Sequence, residues 1–312
     1  MGGSGGIGFR AFPPDEIRSW ITDAQDTTAA TEHNNRINAY LADLLAQYND
    51  RDVALTREHL NEIERALEDE LETTLDLRFG GSIAKHTFVD GISDVDALAI
   101  LRDPELSSLT AREVLGNFGD TLRRELGFTV DVSVGRLAVT ISFPDGMEIQ
   151  ILPAIQTATG YRIPSGESEE WSSVIRPRRF VSQLTETNQA CGQNLVPTIK
   201  LAKSVLSDQP DGLRPIGYHV EALAVEAFKH YEGPNNPKAM LHHFFERGGQ
   251  LVLSPIIDST GQSLNVDTNL GEPHSYSRQL LSSAMDRIAR RMSNADSVCS
   301  LGDWLRAIGE QY

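Results

Sequence analysis

Asp94 and Asp96 are separated by one residue, at the head of an apolar run that continues to Leu101. Alternate side chains of a strand share a face, so on a strand both carboxylates point to one spot. Two anions so placed repel unless a cation lies between them. Hard oxygen donors of this kind suit Mg2+ or Mn2+, which in turn holds phosphate oxygens. Upstream, Gly80-Gly81-Ser82 follows the short strand candidate Leu75 to Phe79. A glycine turn lets the chain approach a ligand closely, and it leaves N–H groups and the Ser82 hydroxyl free for phosphate. Most Gly-Ser turns are only turns, and most Asp-x-Asp pairs are solvated faces. A Gly-Ser turn followed about a dozen residues later by Asp-x-Asp entering an apolar strand is far rarer by chance. The chemistry it points to is metal-assisted reaction at a phosphate.

Elements of two kinds must position these groups. Ile37, Tyr40, Leu41, Leu44, Leu45 and Tyr48 recur at helical spacing, and Leu60, Ile63, Leu67 and Leu71 mark a second amphipathic helix. Together they predict a helical N-terminal section that packs along the rest of the protein. Asp94 to Leu101 reads as a strand entering a core. Thr110-Ala111-Arg112-Glu113 matches a capping box, with Leu115, Phe118, Leu122 and Leu126 continuing the helix. Strands are predicted over Phe128 to Val134, Leu137 to Phe143 and Met147 to Leu152, the last two joined by the turn Pro144-Asp145-Gly146. Beyond about residue 175 the pattern is mainly helical, clearest over Val196 to Leu206 and Tyr218 to Tyr231; Leu251 to Gly271 is irregular, and Tyr276 to Tyr312 returns to helix. The expected organisation is a flexible leader over 1–14, N-terminal helices and a mixed-sheet core over 15–175, and a helical lobe over 176–312.

Composition narrows the function. The formal net charge of −16 disfavours a long nucleic-acid surface, which needs a basic surplus or stripe. Small polyphosphates stay open, because divalent metal neutralises them locally. Cys191 and Cys299 cannot build a disulfide framework or a four-cysteine zinc site, and free thiols in a cytoplasmic setting are the simpler expectation. No run reaches the roughly 18–20 apolar residues of a membrane span, so no membrane partner is expected.

The stretch from Gly80 to Asp96 resembles the signature of the DNA polymerase β-type nucleotidyltransferase superfamily, a hydrophobic-Gly-Gly/Ser turn followed by Asp-hydrophobic-Asp/Glu. More narrowly, Gly81-Ser82 through Thr87, Gly91 and Ser93-Asp94-Val95-Asp96 resemble the bacterial CD-NTases. These are relatives of animal cyclic GMP-AMP synthase and oligoadenylate synthetase that make cyclic oligonucleotide signals in anti-phage defence. The likeness continues in Lys200, Lys203 and Tyr218-His219-Val220-Glu221, and covers roughly residues 75 to 235. It implies an α+β fold: a polymerase β-like core of mixed sheet and helices, a C-terminal helical lobe, and an active site in the cleft between them.

In such sites a later strand adds a third carboxylate. Here that strand reads Met147-Glu148-Ile149-Gln150-Ile151-Leu152-Pro153. Superfamily members place the acid at the position of Gln150 or at that of Glu148. Glutamine cannot act as a base, so Glu148 is taken as the third metal ligand beside Asp94 and Asp96, and as general base. The resemblance further implies Mg2+ (or Mn2+), ATP and GTP as substrates, a cyclic dinucleotide of the GMP-AMP kind as product, a regulatory protein partner and a downstream effector that responds to the product. Gly81 and Ser82 would hold the triphosphate. Lys200 and Lys203 would add positive charge, or else form an ordinary solvated pair. Tyr218 stacks on a base or belongs to the core. Lys85 and His86 touch phosphate or only decorate the loop. Arg176, Arg178 and Arg179 contact phosphate or pair with the acidic surplus. Asp258 reads as a turn residue and Thr87 as a structural support. The alternative activity is transfer of a nucleotide to an RNA end, a protein or a small molecule.

Overall fold

The structure, a computed structural model, describes residues 14–48, 53–71, 75–79, 82, 85–89, 95–166, 168–210 and 214–310. The glycine-rich opening, Gly80, Gly81 and Asp94 lie outside the described residues. Ten helices and a mixed sheet of six strands are seen among them.

The chain begins with α1 (Pro14–Tyr48) and α2 (Val53–Leu71), followed by β1 (Leu75–Phe79) and β2 (Val95–Leu101). Next come α3 (Pro104–Ser108) and α4 (Ala111–Glu125). The predicted capping box is present: Glu113 N–H donates to Thr110 Oγ1 (3.3 Å) and Thr110 N–H to Glu113 Oε2 (2.8 Å). β3 (Asp131–Val134), β4 (Val139–Ser142), β5 (Glu148–Gln156) and β6 (Tyr161–Arg162) complete the sheet. β3 starts later than the apolar run predicts, because the chain turns back after α4 through Gly127 at φ +76° and spends residues 128–130 on that turn. β5 runs past its predicted end at Leu152, since β2 pairs with it as far as Ile155 and β6 with Ile155 and Gln156.

The strand order is β1-β2-β5-β4-β3, with β6 also on β5. Only β2 and β5 pair in parallel; the other pairs are antiparallel. Side-chain alternation divides the two central strands cleanly. Ala97, Ala99 and Leu101 of β2 join Ile149 and Ile151 of β5 in one apolar cluster with Leu60, Ile63 and Leu67 of α2 and Leu115, Phe118 and Leu122 of α4. Leu98, Leu152 and Ala154 point the other way, toward Tyr161, Ile163 and Ile175. One face of the sheet is thus sealed by helices, and the even-numbered residues of β2 and β5 occupy the opposite face.

The second unit is helical: α5 (Pro177–Ala190), α6 (Leu195–Ser207), α7 (Gly217–Ala227), α8 (Pro237–Leu251), α9 (Tyr276–Ser297) and α10 (Leu301–Ala307). The helical stretch expected from Tyr276 is present as two helices. Cys299 takes φ +50° and Ser300 caps α10, its Oγ accepting from Asp303 N–H (3.2 Å). Ile37 and Leu41 of α1 are fully buried in this helical cluster, not against the sheet. Lys238 fastens that contact by donating to Asn34 Oδ1 and approaching Asp296 Oδ1, each at 2.7 Å. The irregular stretch between α8 and α9 is organised by Arg278, wholly buried, which donates to the carbonyls of Val252 (2.9 Å) and Gly271 (3.0 Å) and to Asp267 Oδ2 (2.6 Å). No described helix is long and apolar enough to cross a membrane.

Candidate active site

Asp96 stands near the start of β2 on the sheet face opposite the α2 and α4 cluster, directly level with Gln150 of the parallel neighbour β5. Thr140 of β4 completes the row beyond Gln150. Glu148 is on the same face by parity, one step nearer the strand's beginning and exposed, and its Oε1 accepts from Ser142 Oγ (3.0 Å). The hairpin before it is firmly set. Gly146 takes φ +88°, Met147 N–H donates to Asp145 Oδ1 (2.9 Å), and His59 of α2 stacks on Phe143 (3.7 Å) while bonding Asp145 Oδ2 (2.7 Å). Asp96 and Glu148 are oxygen donors of the type a divalent cation takes. Asp94, the third of the set, lies outside the described residues, and among those described no three His, Cys, Asp or Glu side chains form a metal-binding group.

The loop between β1 and β2 reaches the helical unit. Ser82 is buried, and its hydroxyl has no hydrogen-bond partner among the described residues. An orphaned buried hydroxyl costs stability unless something fills its bonding capacity, and a ligand oxygen would do so. Ser82 carbonyl accepts from Thr87 N–H (2.9 Å). Thr87, wholly buried, donates its own hydroxyl to Glu221 Oε1, so its expected role as a support is what its contacts show. Lys85 Nζ bonds Glu221 Oε2 and lies 5.2 Å from the Tyr218 ring centroid and 5.5 Å from that of Phe180. Cations favour such aromatic faces. His86 is exposed, at φ +59°.

Lys203 is buried rather than solvated: its ammonium donates to Glu221 Oε1 (2.8 Å) and to the Thr87 carbonyl (3.0 Å). Burial lowers its pKa, Glu221 opposes that shift, and Lys85 adds to it; the Asp96 charge is close enough to raise it slightly. Lys200, one turn earlier on α6, is half-buried, and burial followed by Lys203 lowers its pKa. Burial pushes the Glu221 carboxyl up, but Lys85 and Lys203 outweigh it and hold Glu221 below the usual carboxylate range.

Tyr218 is half-buried at the start of α7. Its hydroxyl donates to Asp258 Oδ1 (2.8 Å), and its ring meets Phe180 edge-on at 4.9 Å. Burial and then Asp258 raise its pKa, so the hydroxyl stays protonated. Asp258 is the expected turn residue and more, since Thr260 and Ser263 also donate to it. Arg176 N–H bonds the Thr260 carbonyl (2.8 Å), while Arg178 and Arg179 are exposed at the opening of α5. Sequence spacing did not reveal Phe180 or the bridging part of Glu221, because both contacts join segments far apart in the chain.

Taken together, a carboxylate face on the central strands meets a loop hydroxyl, two paired lysines and an oriented tyrosine at the junction of sheet and helices. Solved structures with the same arrangement of elements settle the fold. The Escherichia coli MS115-1 CdnC structure with ATP aligns over 83% of this chain and 91% of its own, at 17% identity and a TM-score of 0.63. The Vibrio cholerae di-nucleotide cyclase DncV, in complex with ATP and GTP, aligns over 96% and 92%, at 11% identity and 0.64. The Bradyrhizobium diazoefficiens CD-NTase CdnG, in complex with GTP, aligns over 87% and 95%, at 16% identity and 0.63. The chain has the CD-NTase fold. No protein-family model matches the sequence, and no curated protein does. At these identities the likeness is one of fold, and it is the α+β fold with a polymerase β-like core expected from Gly80 to Asp96.

Proposed function

We infer that the chain is a divalent-metal-dependent nucleotidyltransferase that joins nucleoside triphosphates, ATP and GTP, into a cyclic dinucleotide of the GMP-AMP kind without a template. The observation that carries this reading is the place of Asp96. It sits on the face of the central parallel pair opposite the α2 and α4 cluster, close enough to act on Lys203 of the junction that holds Ser82, Lys85 and Tyr218, in a fold whose solved examples include a di-nucleotide cyclase with ATP and GTP.

Each residue then has a task. Asp94, Asp96 and Glu148 hold Mg2+ or Mn2+, which when bound neutralises the triphosphate and eases ionisation of the attacking ribose hydroxyl. Glu148, exposed at the start of β5, accepts that hydroxyl's proton as general base. Gly81 and Ser82 hold the triphosphate tail, the Ser82 hydroxyl donating to phosphate. Lys85 and Lys200 present positive charge at the junction, and Lys203 adds its charge from beneath the loop. Tyr218, its hydroxyl fixed by Asp258, offers a ring face to a base, and any purine can stack on it. In-line attack forms the phosphodiester bond and releases pyrophosphate; a second attack closes the ring. The division of the chain at residues 175–176 into core and helical lobe, a regulatory protein partner and a product-responsive effector belong to the same reading.

The test is incubation with labelled ATP, GTP, CTP and UTP and Mg2+, without acceptor, with the product analysed by mass spectrometry. A phosphatase-resistant product of cyclic-dinucleotide mass, absent in EDTA, is expected. Label appearing only when RNA, a protein or a small acceptor is added would favour the alternative transfer activity. No incorporation under any of these conditions ends the enzymatic reading.

A further inference from the structure

Glu221 is the unexplained charge of the junction. It is 1% exposed, yet its two oxygens take bonds from three side chains on two units: Lys85 and Thr87 of the loop, and Lys203 of α6. A buried carboxylate is costly unless fully paired, and this one is. Its bonds also reach the site in two directions. Through Thr87, whose N–H holds the Ser82 carbonyl, it sets the segment that carries the orphaned Ser82 hydroxyl. Through Lys85 it holds an ammonium beside the Tyr218 ring. One carboxylate thus faces two ammoniums, and Lys203 also feels the charge of Asp96.

We propose that Glu221 is a positioning residue for nucleoside triphosphate binding: it locks Ser82 and residues 85–89 onto the helical unit and aims Lys85 and Ser82 at the phosphates. The proposal rests on the nucleotidyltransferase reading. Glu221 itself touches no substrate; it acts through the loop. The contact joins both units, so triphosphate affinity depends on how the helical unit sits on the loop. A residue that merely filled the core would not show that dependence.

The experiment is titration of ATP and GTP with Mg2+ by calorimetry, together with melting curves, on wild type, E221Q, K85M and K85M/E221Q. E221Q is expected to weaken binding at least about tenfold, as loss of one partner from a buried charge cluster does. In turnover it should raise KM more than it lowers kcat. K85M/E221Q should lose less than the product of the two single losses, since the Lys85 arm is shared by both changes while the Thr87–Ser82 arm is lost only with Glu221. Full additivity, or wild-type affinity in folded E221Q, overturns the proposal. If E221Q does not fold, K203M/E221M removes the buried pair together, and wild-type affinity there overturns it equally. Absence of triphosphate binding by the wild-type chain refutes the functional reading and this proposal with it, whereas a binding wild type with an unaffected E221Q refutes the proposal alone.

Discussion

At the scale of residues, the central question is which side chain on β5 serves beside Asp96. Gln150 is level with Asp96 across the parallel pair, and Glu148 is two residues nearer the strand start. An amide oxygen can bond a neighbour but cannot take a proton at neutral pH. D96N is therefore expected to lose measurable turnover with its melting temperature kept. E148Q should fall by roughly two to four orders of magnitude, the usual worth of a general base, and Q150A should fall only mildly. Steady-state rates on the three variants check this, and a Q150A loss larger than that of E148Q would move the third position to Gln150. His219 supplies a separate, pH-dependent prediction. Burial lowers its pKa to about 4, with Asp267 opposing and Arg278 reinforcing the shift. The unfolded chain takes up this proton near pH 6.5 and the folded chain does not, so stability is present above that pH and declines as pH falls toward 4. The contribution is on the order of 3 kcal/mol at most. Urea titrations at pH 7 and pH 4.5 should show a smaller loss in H219L than in wild type, and equal losses would remove His219 as the cause.

At the scale of elements, the hairpin between β4 and β5 fixes where β5 begins and so where Glu148 stands. Gly146 holds φ +88°, and a Cβ there would meet nothing within 4 Å, so G146A suffers from backbone strain alone. The cost should be about 1–2 kcal/mol. It should appear as a lower melting temperature with reduced kcat and little change in KM, because the loop proposed to hold the nucleotide is elsewhere. A KM effect without a kcat effect would dissociate this hairpin from Glu148. Element boundaries also show where periodicity is informative. The helices with an apolar stripe, α2, α4 and α6, were legible, and so was the capping box at Thr110. The start of β3 and the end of β5 were not, since a turn can consume apolar residues such as Phe128 and a central strand continues as far as its neighbours pair with it.

At the scale of the whole molecule, the charge of −16 sets what the protein can hold. Nucleic acid binding gains most of its strength from phosphate neutralisation by basic residues. Duplex DNA and single-stranded RNA should bind weakly at physiological salt and should not raise turnover. Fluorescence anisotropy and product assays with added polynucleotide test this, and submicromolar binding with stimulation would contradict it.

Apart from the turn at Gly80-Gly81 and the place of Asp94, which lie outside the described residues, the sequence alone determined the local pattern: a strand that enters the core behind Asp96, a capping box, and helices whose spacing declares their buried side. These are short-range properties, set by backbone sterics and by the period of side chains along one element. Tertiary structure alone decided that α1 buries Ile37 and Leu41 among the C-terminal helices, that Lys203 turns inward, and that Glu221 gathers Lys85, Thr87 and Lys203. The physical reason is that a charge or an apolar stripe states a need for a partner without naming it. Which residue, more than a hundred positions away, meets that need is settled only when the two packed units come together.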